Sequence, residues 1–410
     1  MDALPAFSTD ALYRLPWNVR DNAFSWLEPT YQCNLSCVGC YRKNEKGSHK
    51  TMSEIRHELD VFQRKRNADS MMIAGGDPLL HPHIVDIVRE ISGRGIKPYI
   101  GTNGLLLTIG LLLDLKKAGL CSIGFHIDSK QGRGGRWKGK NEIELNELRL
   151  EYATMVAEAG NISCSFDATV FDDTLRYVPD LVAWAHQHID IVHDMAFVAF
   201  RHVTPAAELR WFAGGERVEV HSLPYEGISR TAAPLLSTDM LKCVREAFPE
   251  FAPAAYLNGS ESVESLKWLF AVRVGTRERI YGYLGPKFME LVMAYHHFVK
   301  GTYLGAGLSD ASRRGRSAML LLWPFDRGLK RALTHMLKHP LDLLRRAHFQ
   351  TVLFIQPIDF LPDGRQSMCD ACPDMTVFND ELVWSCRLEE LKSFGTILRT
   401  VPKEKLEEDI

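Results

Sequence analysis

The 410-residue sequence has no long apolar run and no strong excess of charge of one sign. No stretch reaches the ~18 consecutive apolar residues that suggest a transmembrane helix. The formal net charge is -2, which gives no general attraction to nucleic acid. The first residues lack the basic region and apolar core of a secretory signal. These absences predict a cytoplasmic protein with no nucleic-acid partner.

The sequence also lacks the cysteine pattern of a disulfide-stabilised protein. It has nine cysteines, an odd number, and six of them lie in two tight groups. Disulfides are rare in reducing compartments, where such groups more often bind metal. No internal repeat or low-complexity tract is present. With 46% hydrophobic residues, the chain can bury a large core and has the length of two or three domains.

The first cysteine group has C-x3-C-x2-C spacing and contains Cys33, Cys37 and Cys40. Three thiolates this close can converge on one soft metal centre, such as an iron–sulfur cluster or zinc. A closed structural zinc site needs four protein ligands, and here there are three. A cluster held by three cysteines leaves one iron open to an outside ligand. The alternative is three unrelated thiols in a reducing cytosol.

This spacing resembles the signature of the radical SAM superfamily. The resemblance implies a [4Fe-4S] cluster on the three cysteines, with S-adenosylmethionine chelated by the fourth iron. It also implies a reducing partner such as flavodoxin or ferredoxin, and cleavage of the cofactor to a 5'-deoxyadenosyl radical that abstracts a hydrogen atom. Many members have an aromatic residue just before the last cysteine. This sequence has Gly39 there, and an aromatic residue, Tyr41, follows the cysteine instead.

Strand-like and helix-like segments alternate six times between residues 24 and 202. Such alternation predicts parallel strands joined by crossover helices. Together with the resemblance, it implies an α/β fold with a partial (βα)6 TIM-type barrel. Active sites of parallel barrels lie at the C-terminal ends of the strands. The predicted strands are residues 24–31, 70–74, 96–102, 121–127, 162–170 and 191–200.

Several motifs follow those predicted strands. Gly75-Gly76-Asp77-Pro78 resembles the GGEP motif of the superfamily, with Asp in place of Glu. The glycines would let the backbone approach the amino group of the cofactor's methionine, although an ordinary turn is the alternative. The resemblance implies cofactor-binding roles for strand-end residues, some of which could instead only shape turns. These residues are Tyr41, Gly75, Gly76, Asp77, Pro78, Asn103, His126, Asp128 and Asp167.

Two further features bear on the barrel interior and its rim. Ser165, Asp167 and Thr169 alternate along one predicted strand and share a face, so Asp167 would make a polar contact inside the barrel if that face is the lumen. Residues 131–140 form a basic, glycine-rich loop. This loop could cover a phosphate or carboxylate of the substrate, or could be a flexible solvated loop.

Residues 203–360 are predicted to be mostly helical, basic and apolar, and to face a substrate or a membrane. Between residues 270 and 350 there are fourteen basic residues against five acidic ones. Leu329, Leu333, Met336 and Leu337 keep helical spacing there. Basic amphipathic helices lie in membrane interfaces, which predicts peripheral contact with the inner membrane face. The alternative is that these helices pack on the barrel and expose only their basic faces.

The second cysteine group lies near the C-terminus. Cys369 and Cys372 have C-x2-C spacing, and Cys386 follows a predicted hairpin over residues 376–384. This layout resembles a shortened auxiliary-cluster (SPASM or twitch) extension, which implies a second [4Fe-4S] cluster, with zinc as the alternative. Cys243 is the candidate for a fourth ligand.

The sequence therefore predicts four regions: a lead-in over residues 1–23, a radical SAM core barrel over 24–202, the helical region over 203–360 and a metal-binding extension over 361–410. The resemblance predicts a radical SAM enzyme, and the basic, apolar region points to a lipid or other apolar substrate at a membrane surface. The alternatives are a peptide-modifying enzyme of the SPASM type and a non-catalytic iron–sulfur scaffold or sensor.

Overall fold

A computed structural model describes residues 9–200, 209–220, 223, 235–263, 265–305, 322–339, 346–361 and 363–403. The strands of its first part are β1 Tyr13–Arg14, β2 Asp21–Thr30, β3 Asn67–Gly75, β4 Lys97–Thr102, β5 Ser122–His126, β6 Ser163–Val170 and β7 Asp194–Ala199. The later strands are β8 Leu209–Ala213, β9 Glu216–Val218, β10 Ala255–Asn258, β11 Leu266–Gly275, β12 Ile280–Tyr283, β13 His348–Ile355, β14 Asp359–Phe360, β15 Gln366–Ser367, β16 Met375–Phe378, β17 Glu381–Trp384 and β18 Arg399–Pro402.

The α-helices include five that follow strands of the first part. These are α1 Met52–Lys65, α2 Ile84–Gly93, α3 Ile109–Lys117, α4 Asn146–Ala159 and α5 Val178–Gln187. The later ones are α6 Ser237–Ala247, α7 Pro286–Lys300, α8 Arg327–Leu337 and α9 Leu388–Phe394.

One large sheet organises the molecule. Its strands follow the order β1-β10-β11-β13-β7-β6-β5-β4-β3-β2, and β12 pairs with β11. Strands β2 to β7 are parallel neighbours in chain order, as the alternating pattern predicts. The fold is therefore mixed α/β with a large parallel sheet, a partial TIM-type barrel.

The first crossover helix shows how local sequence sets these elements. Thr51 caps α1 and exchanges hydrogen bonds with Glu54, whose carboxylate accepts from the Thr51 amide at 2.6 Å. Ile55, Leu59 and Phe62 share the buried face of the helix. This i, i+4, i+7 spacing places one apolar stripe against the sheet.

The prediction of a mostly helical region over residues 203–360 is wrong for the described residues. Helices α6, α7 and α8 lie there, but strands β8 to β14 lie there as well. Strand β13 pairs in parallel with β7 and extends the barrel sheet, and β11 pairs antiparallel with β13. Such short apolar runs do not distinguish a buried strand from a buried helix.

The predicted N-terminal lead-in is also part of the sheet. Strand β1 pairs in parallel with β10 at the edge of the sheet opposite β2. The largest hydrophobic core contains residues of β2 to β7 and of their crossover helices. Leu15 and Trp17 follow β1 and are buried with residues of β11 and α7 in a second hydrophobic core. A two-residue strand carries no periodic pattern, so only its partners reveal it.

The C-terminal residues pack beside the barrel. Strands β16 and β17 form the predicted hairpin, and its turn residues Asn379 and Asp380 both have positive φ. Strand β18 pairs with β8, and a third core lies beneath these strands. Among the described residues, none of the helices combines the length and apolar character needed to cross a bilayer.

Candidate functional site

The first cysteine group lies on the loop that follows β2. Asn44 braces this loop, because its side chain accepts from the Cys33 amide at 3.0 Å and donates to the Cys33 carbonyl at 2.9 Å. On the far side, the Val38 amide donates to the carbonyl of Lys130 at 3.0 Å. The loop is therefore held both by its own residues and by the segment that follows β5.

The three thiols are close enough to influence one another's ionisation. Burial raises the pKa of all three cysteines, and the negative charge of Cys40 is the next cause for Cys37. Three thiolates at such a place repel one another unless a cation binds them. The Leu35 amide donates to the Cys33 sulfur at 3.5 Å, and Asn103 Nδ2 lies 3.8 Å from it. This donor set fits a three-cysteine iron–sulfur cluster.

The structure accounts for the glycine that stands where an aromatic residue is common. Gly39 has a φ of +73°, and a Cβ there would lie 2.0 Å from the ring of Phe200. Phe200 follows β7 and stacks on Phe171 with 4.6 Å between ring centroids. An aromatic ring from another strand therefore occupies the space beside the last cysteine.

The motif at residues 75–78 packs against the start of the cysteine loop. The Gly76 amide donates to the Thr30 carbonyl at 2.9 Å, and the Asp77 amide donates to the Gln32 carbonyl at 2.8 Å. A Cβ at Gly76 would lie 2.1 Å from that Gln32 oxygen, so only glycine fits. The Tyr41 hydroxyl donates to the Gly75 carbonyl at 3.4 Å. Tyr41 and both glycines thus hold the two loops together.

The Asp77 side chain has a structural task within this arrangement. Its carboxylate, 1% exposed, accepts from the Thr102 hydroxyl at 2.8 and 3.0 Å and from the Asn103 amide at 2.8 Å. It also accepts from the Leu79 amide at 3.0 Å. This bond caps the short 3-10 helix that begins at Pro78. A cofactor contact of this carboxylate stays a prediction, since its oxygens already have partners that tie β3 to β4.

Asn103 lies between this turn and the cysteines. Its side-chain amide donates to Asn34 Oδ1 at 2.6 Å, close to the Cys33 sulfur. Its own Oδ1 accepts from the Leu105 amide at 2.9 Å. The residue is buried and shapes its turn, and it also places an N–H donor beside a cysteine ligand.

His126, the last residue of β5, forms an ion pair with Asp128. Their Nε2 and Oδ2 atoms are 2.9 Å apart, and the Thr169 hydroxyl lies 3.0 Å from the same nitrogen. Burial lowers the pKa of His126, but the hydrogen bond and charge of Asp128 outweigh it, so that the pKa is raised overall. Burial likewise raises the pKa of Asp128, and the bond to His126 brings it below the usual value.

The sequence indicated Asp167 only on the condition that its face is the lumen. Ser165, two residues earlier on β6, lies on the same face, and its hydroxyl contacts the Tyr99 hydroxyl. A Cβ at Gly124 on β5 would meet both of those side chains, at 2.6 and 2.9 Å, so all three strands turn this face to one space. The helices pack on the opposite face, where Phe125 and Phe166 are fully buried. Asp167 therefore points into the barrel.

Arg133 is a site residue that the sequence did not single out from its basic loop. Its guanidinium is 5% exposed and donates to the carbonyls of Asn103 and His126 at 2.8 and 3.0 Å. Burial lowers its pKa, and the charges of Tyr152, Cys37 and Asp128 oppose that effect. Arg133, Asp128 and Trp137 help line a cavity of about 340 Å³ under this loop. All the residues that line this cavity lie between Asp128 and Leu145.

The second cysteine group is brought together near the side of the barrel. Cys369 and Cys372 interact directly, which lowers the pKa of Cys369 and raises that of Cys372. Asp374 and Cys386 are further causes of the raised pKa of Cys372. Within the described part of the chain, no three His, Cys, Asp or Glu side chains are arranged for a single metal ion.

Cys243 does not join this group, so its candidacy as a fourth ligand is wrong. Its sulfur lies 3.6 Å from the carbonyl of Leu175, and its acidic neighbours are Asp180 and Glu246. Helix α6, which carries it, packs against α5, β11 and β13. The described neighbours of Cys243 therefore lie in other segments than the C-terminal cysteines.

The apolar stripe of the basic region packs largely inside the protein. Leu329 and Met336 on α8 belong to the second core, and Leu333 packs against it. Leu337 is 68% exposed. The structure favours packing on the sheet for this stripe. Arg313, Arg314 and Arg316 of the same basic region lie outside the described residues.

Comparison with known proteins identifies the first part of the chain. Residues 27–185 match the Radical SAM superfamily. A tungsten-containing aldehyde ferredoxin oxidoreductase cofactor-modifying protein from Pyrococcus furiosus is 32% identical over 108 residues, which are 26% of this chain and 30% of that protein. The GTP 3',8-cyclase of Streptomyces coelicolor is 28% identical over 170 residues, which are 39% of this chain and 48% of that protein.

A solved structure, Streptococcus suis SuiB bound to precursor peptide SuiA, aligns with a TM-score of 0.40 and 15% identity. The alignment covers 56% of this chain and 46% of that one. The chain spans less than half the length of each of these three proteins.

Proposed function

We propose that this chain, whose residues 27–185 form a radical SAM domain, is an enzyme that cleaves S-adenosylmethionine reductively and abstracts a hydrogen atom from its substrate. The observation that carries the proposal is the placement of Cys33, Cys37 and Cys40 on the one loop that follows β2, where the charges of Cys40 and Cys33 act on Cys37. Residues that follow β3 and β4 contact that loop, since the Asp77 amide donates to the Gln32 carbonyl and Asn103 Nδ2 donates to Asn34 Oδ1.

Some residues of the site would bind the cluster, and others would orient the cofactor. Cys33, Cys37 and Cys40 would hold a [4Fe-4S] cluster, which supplies the electron that generates the carbon radical. The paired His126 and Asp128 offer polar contacts at the rim of the lumen. The buried Arg133 places a positive charge where a cofactor carboxylate could bind. A flavodoxin or ferredoxin would supply reducing equivalents.

The first test measures iron and cofactor cleavage. Changing Cys33, Cys37 and Cys40 together to Ala should remove about four irons from the anaerobically reconstituted protein and abolish 5'-deoxyadenosine formation. Cys164, which is buried in β6, provides the control, since Cys164→Ser should leave both quantities unchanged. Residual 5'-deoxyadenosine in the triple variant would refute the assignment. A protein that holds the cluster but never forms 5'-deoxyadenosine would favour the scaffold or sensor alternative.

For the substrate we propose a lipid or other apolar molecule reached at a membrane surface. Helix α7 exposes Tyr295, Phe298 and Val299, and Phe298 is 89% exposed. Trp323 and Phe325 are also exposed, just before α8 with its Lys330. Aromatic rings beside cations suit an interface with anionic lipid, where each Lys or Arg contributes about 1 kcal/mol.

Vesicle flotation tests this substrate class. Binding should require anionic rather than neutral vesicles and should fall with salt. It should weaken when Phe298→Ser is combined with Lys330→Gln and Arg331→Gln, and further when Arg313, Arg314 and Arg316 become Gln. The control, Lys117→Gln on α3, removes an exposed charge from a barrel helix and should bind normally. A protein that ignores vesicles under every condition would contradict the proposal.

A peptide-modifying enzyme of the SPASM type is the second candidate. The observation that favours it is the contact between Cys369 and Cys372, which would help hold an auxiliary [4Fe-4S] cluster. Negative flotation together with product formation on a peptide would move this candidate to first place. Iron analysis of the second site would separate a cluster from zinc.

A further inference from the structure

Arg66 is a buried arginine with an incomplete set of partners. It follows α1 and is 4% exposed. Its Nη2 donates to the carbonyl of Cys372 at 2.7 Å. Its Nε and Nη1 have no hydrogen-bond partner among the described residues. A guanidinium presents five N–H donors, so most of the capacity of this side chain is unused.

Three other buried arginines of this protein pair with carboxylates, whereas Arg133 and Arg273 bond only neutral groups. Arg42 pairs with Glu28 and Glu389, Arg149 with Glu142, and Arg387 with Glu390. Within the described chain, Arg66 makes no ion pair of that kind. A buried charge without a hydrogen-bonded counter-charge destabilises a fold. The negative charge of Asp374 acts on Arg66 without forming an ion pair in the described chain, so Nε and Nη1 still lack an acceptor that a further anionic group would supply.

The neighbours of Arg66 show where that partner would be. The Nη2 bond to the Cys372 carbonyl places the guanidinium beside the second cysteine group, and the negative charges of Cys372 and Asp374 act on it. Cys369 contacts Cys372, and Cys386 influences it. The unpartnered nitrogens and the thiols belong to one buried site.

We propose that Arg66 is a positioning residue for an anionic, thiolate-ligated group held by Cys369, Cys372 and Cys386, and that its free N–H groups donate to the sulfur atoms of that group. The inference rests on the second iron–sulfur site of the proposed function. A thiolate-ligated cluster carries net negative charge, which becomes larger on reduction. A nearby guanidinium therefore stabilises the reduced form and raises the reduction potential.

The test measures the reduction potential of the second site alone. The background is the Cys33, Cys37 and Cys40 triple Ala variant of the full chain, reconstituted with iron and sulfide. In it, Arg66→Gln should lower the equilibrium constant for reduction by about tenfold, which is about 59 mV for a one-electron couple. Arg66→Lys keeps the charge and should stay much closer to the parent potential.

Arg273→Gln is the matched control. Arg273 is equally buried and also bonds neutral partners, Gln350 and the Val182 carbonyl, but it lies on the side of the sheet that faces α5. Its removal should leave the potential unchanged. The role of Arg66 would be overturned if Arg66→Gln and its parent had equal reduction potentials. It would also be overturned if Arg66→Lys lowered the potential as much as Arg66→Gln. Absence of iron in the parent would instead refute the second cluster, and this inference with it.

Discussion

The acidic side chains of the barrel interior carry unusual protonation properties. Asp167 on β6 and Asp194 on β7 lie on neighbouring parallel strands. Burial raises the pKa of each to about 6, and the negative charge of Asp167 contributes to the shift of Asp194. His126 acts in the opposite direction on Asp167. Such shifted carboxylates, facing a lumen, are candidates for substrate contact.

Replacing Asp167 with Asn should change how stability depends on pH. The folded pKa of Asp167 lies above its unfolded value near 4, so the folded state favours the protonated form. Its contribution is complete below pH 4 and is lost as the pH rises through about 6. Asn stays neutral, so the variant should be more stable than the wild type by about 3 kcal/mol at pH 8 and similar near pH 4.

Urea unfolding at pH 4, 6 and 8 measures this difference. Asp114→Asn removes an exposed carboxylate from α3 and serves as the control. Stability curves for Asp167→Asn and wild type that run parallel from pH 4 to 8 would contradict the prediction.

The cysteine loop and the C-terminal segment are joined by a buried ion network. Arg42, two residues after Cys40, pairs with Glu28 of β2 at 2.7 Å and with Glu389 of α9 at 2.9 Å. It also donates to the Ser385 carbonyl at 2.9 Å, next to Cys386. One guanidinium therefore connects the loops that carry the two cysteine groups.

Breaking this connection should affect the first cysteine group from a distance. Glu389→Gln removes one carboxylate of a buried pair, which should destabilise the protein by about 3–5 kcal/mol and reduce 5'-deoxyadenosine formation. The matched control is Glu390→Gln, which breaks the equally buried pair with Arg387 in the same segment. It should destabilise similarly but leave the electron paramagnetic resonance signal of the first cluster unchanged. Identical spectra for both variants would argue against the connection.

The molecule as a whole brings the two cysteine groups onto one body. The C-terminal segment contacts the N-terminal strands, since Asn22 Nδ2 donates to the Ala371 carbonyl at 3.0 Å and Arg14 pairs with Asp370. The backbone of Cys369 pairs antiparallel with that of Gly259, which follows β10. The extension therefore belongs to the same packed unit as the barrel.

Replacing Cys369 and Cys372 with Ser should separate the two sites functionally. Cofactor cleavage should persist, because Cys33, Cys37 and Cys40 are untouched, while product formation fails and about four irons are lost. Cys243→Ser should change neither quantity. A second site that stays fully metallated in the double variant, or that takes up zinc in the presence of iron and sulfide, would refute the auxiliary cluster.

The sequence alone determined the parallel strands, the first cysteine group and the hairpin before Cys386. Each depends on local information: an alternating apolar pattern, a fixed spacing of ligands, and turn residues that accept positive φ. The predicted strands agree with β2 to β7 because these strands are short apolar runs that alternate with helical segments.

Only the tertiary structure decided the rest, because it depends on contacts between residues far apart in the chain. Strand β13 extends the parallel sheet from about 150 residues after β7. Arg66 meets Cys372 from 306 residues away, and Phe200 fills the space beside Gly39. Cys243 was a spare cysteine and Leu329 part of an amphipathic stripe, yet packing placed the first beside the Leu175 carbonyl and the second in the core. The spacing of ligand residues in the sequence indicates which chemistry is possible. The burial of each side chain depends on how segments far apart in the sequence pack together.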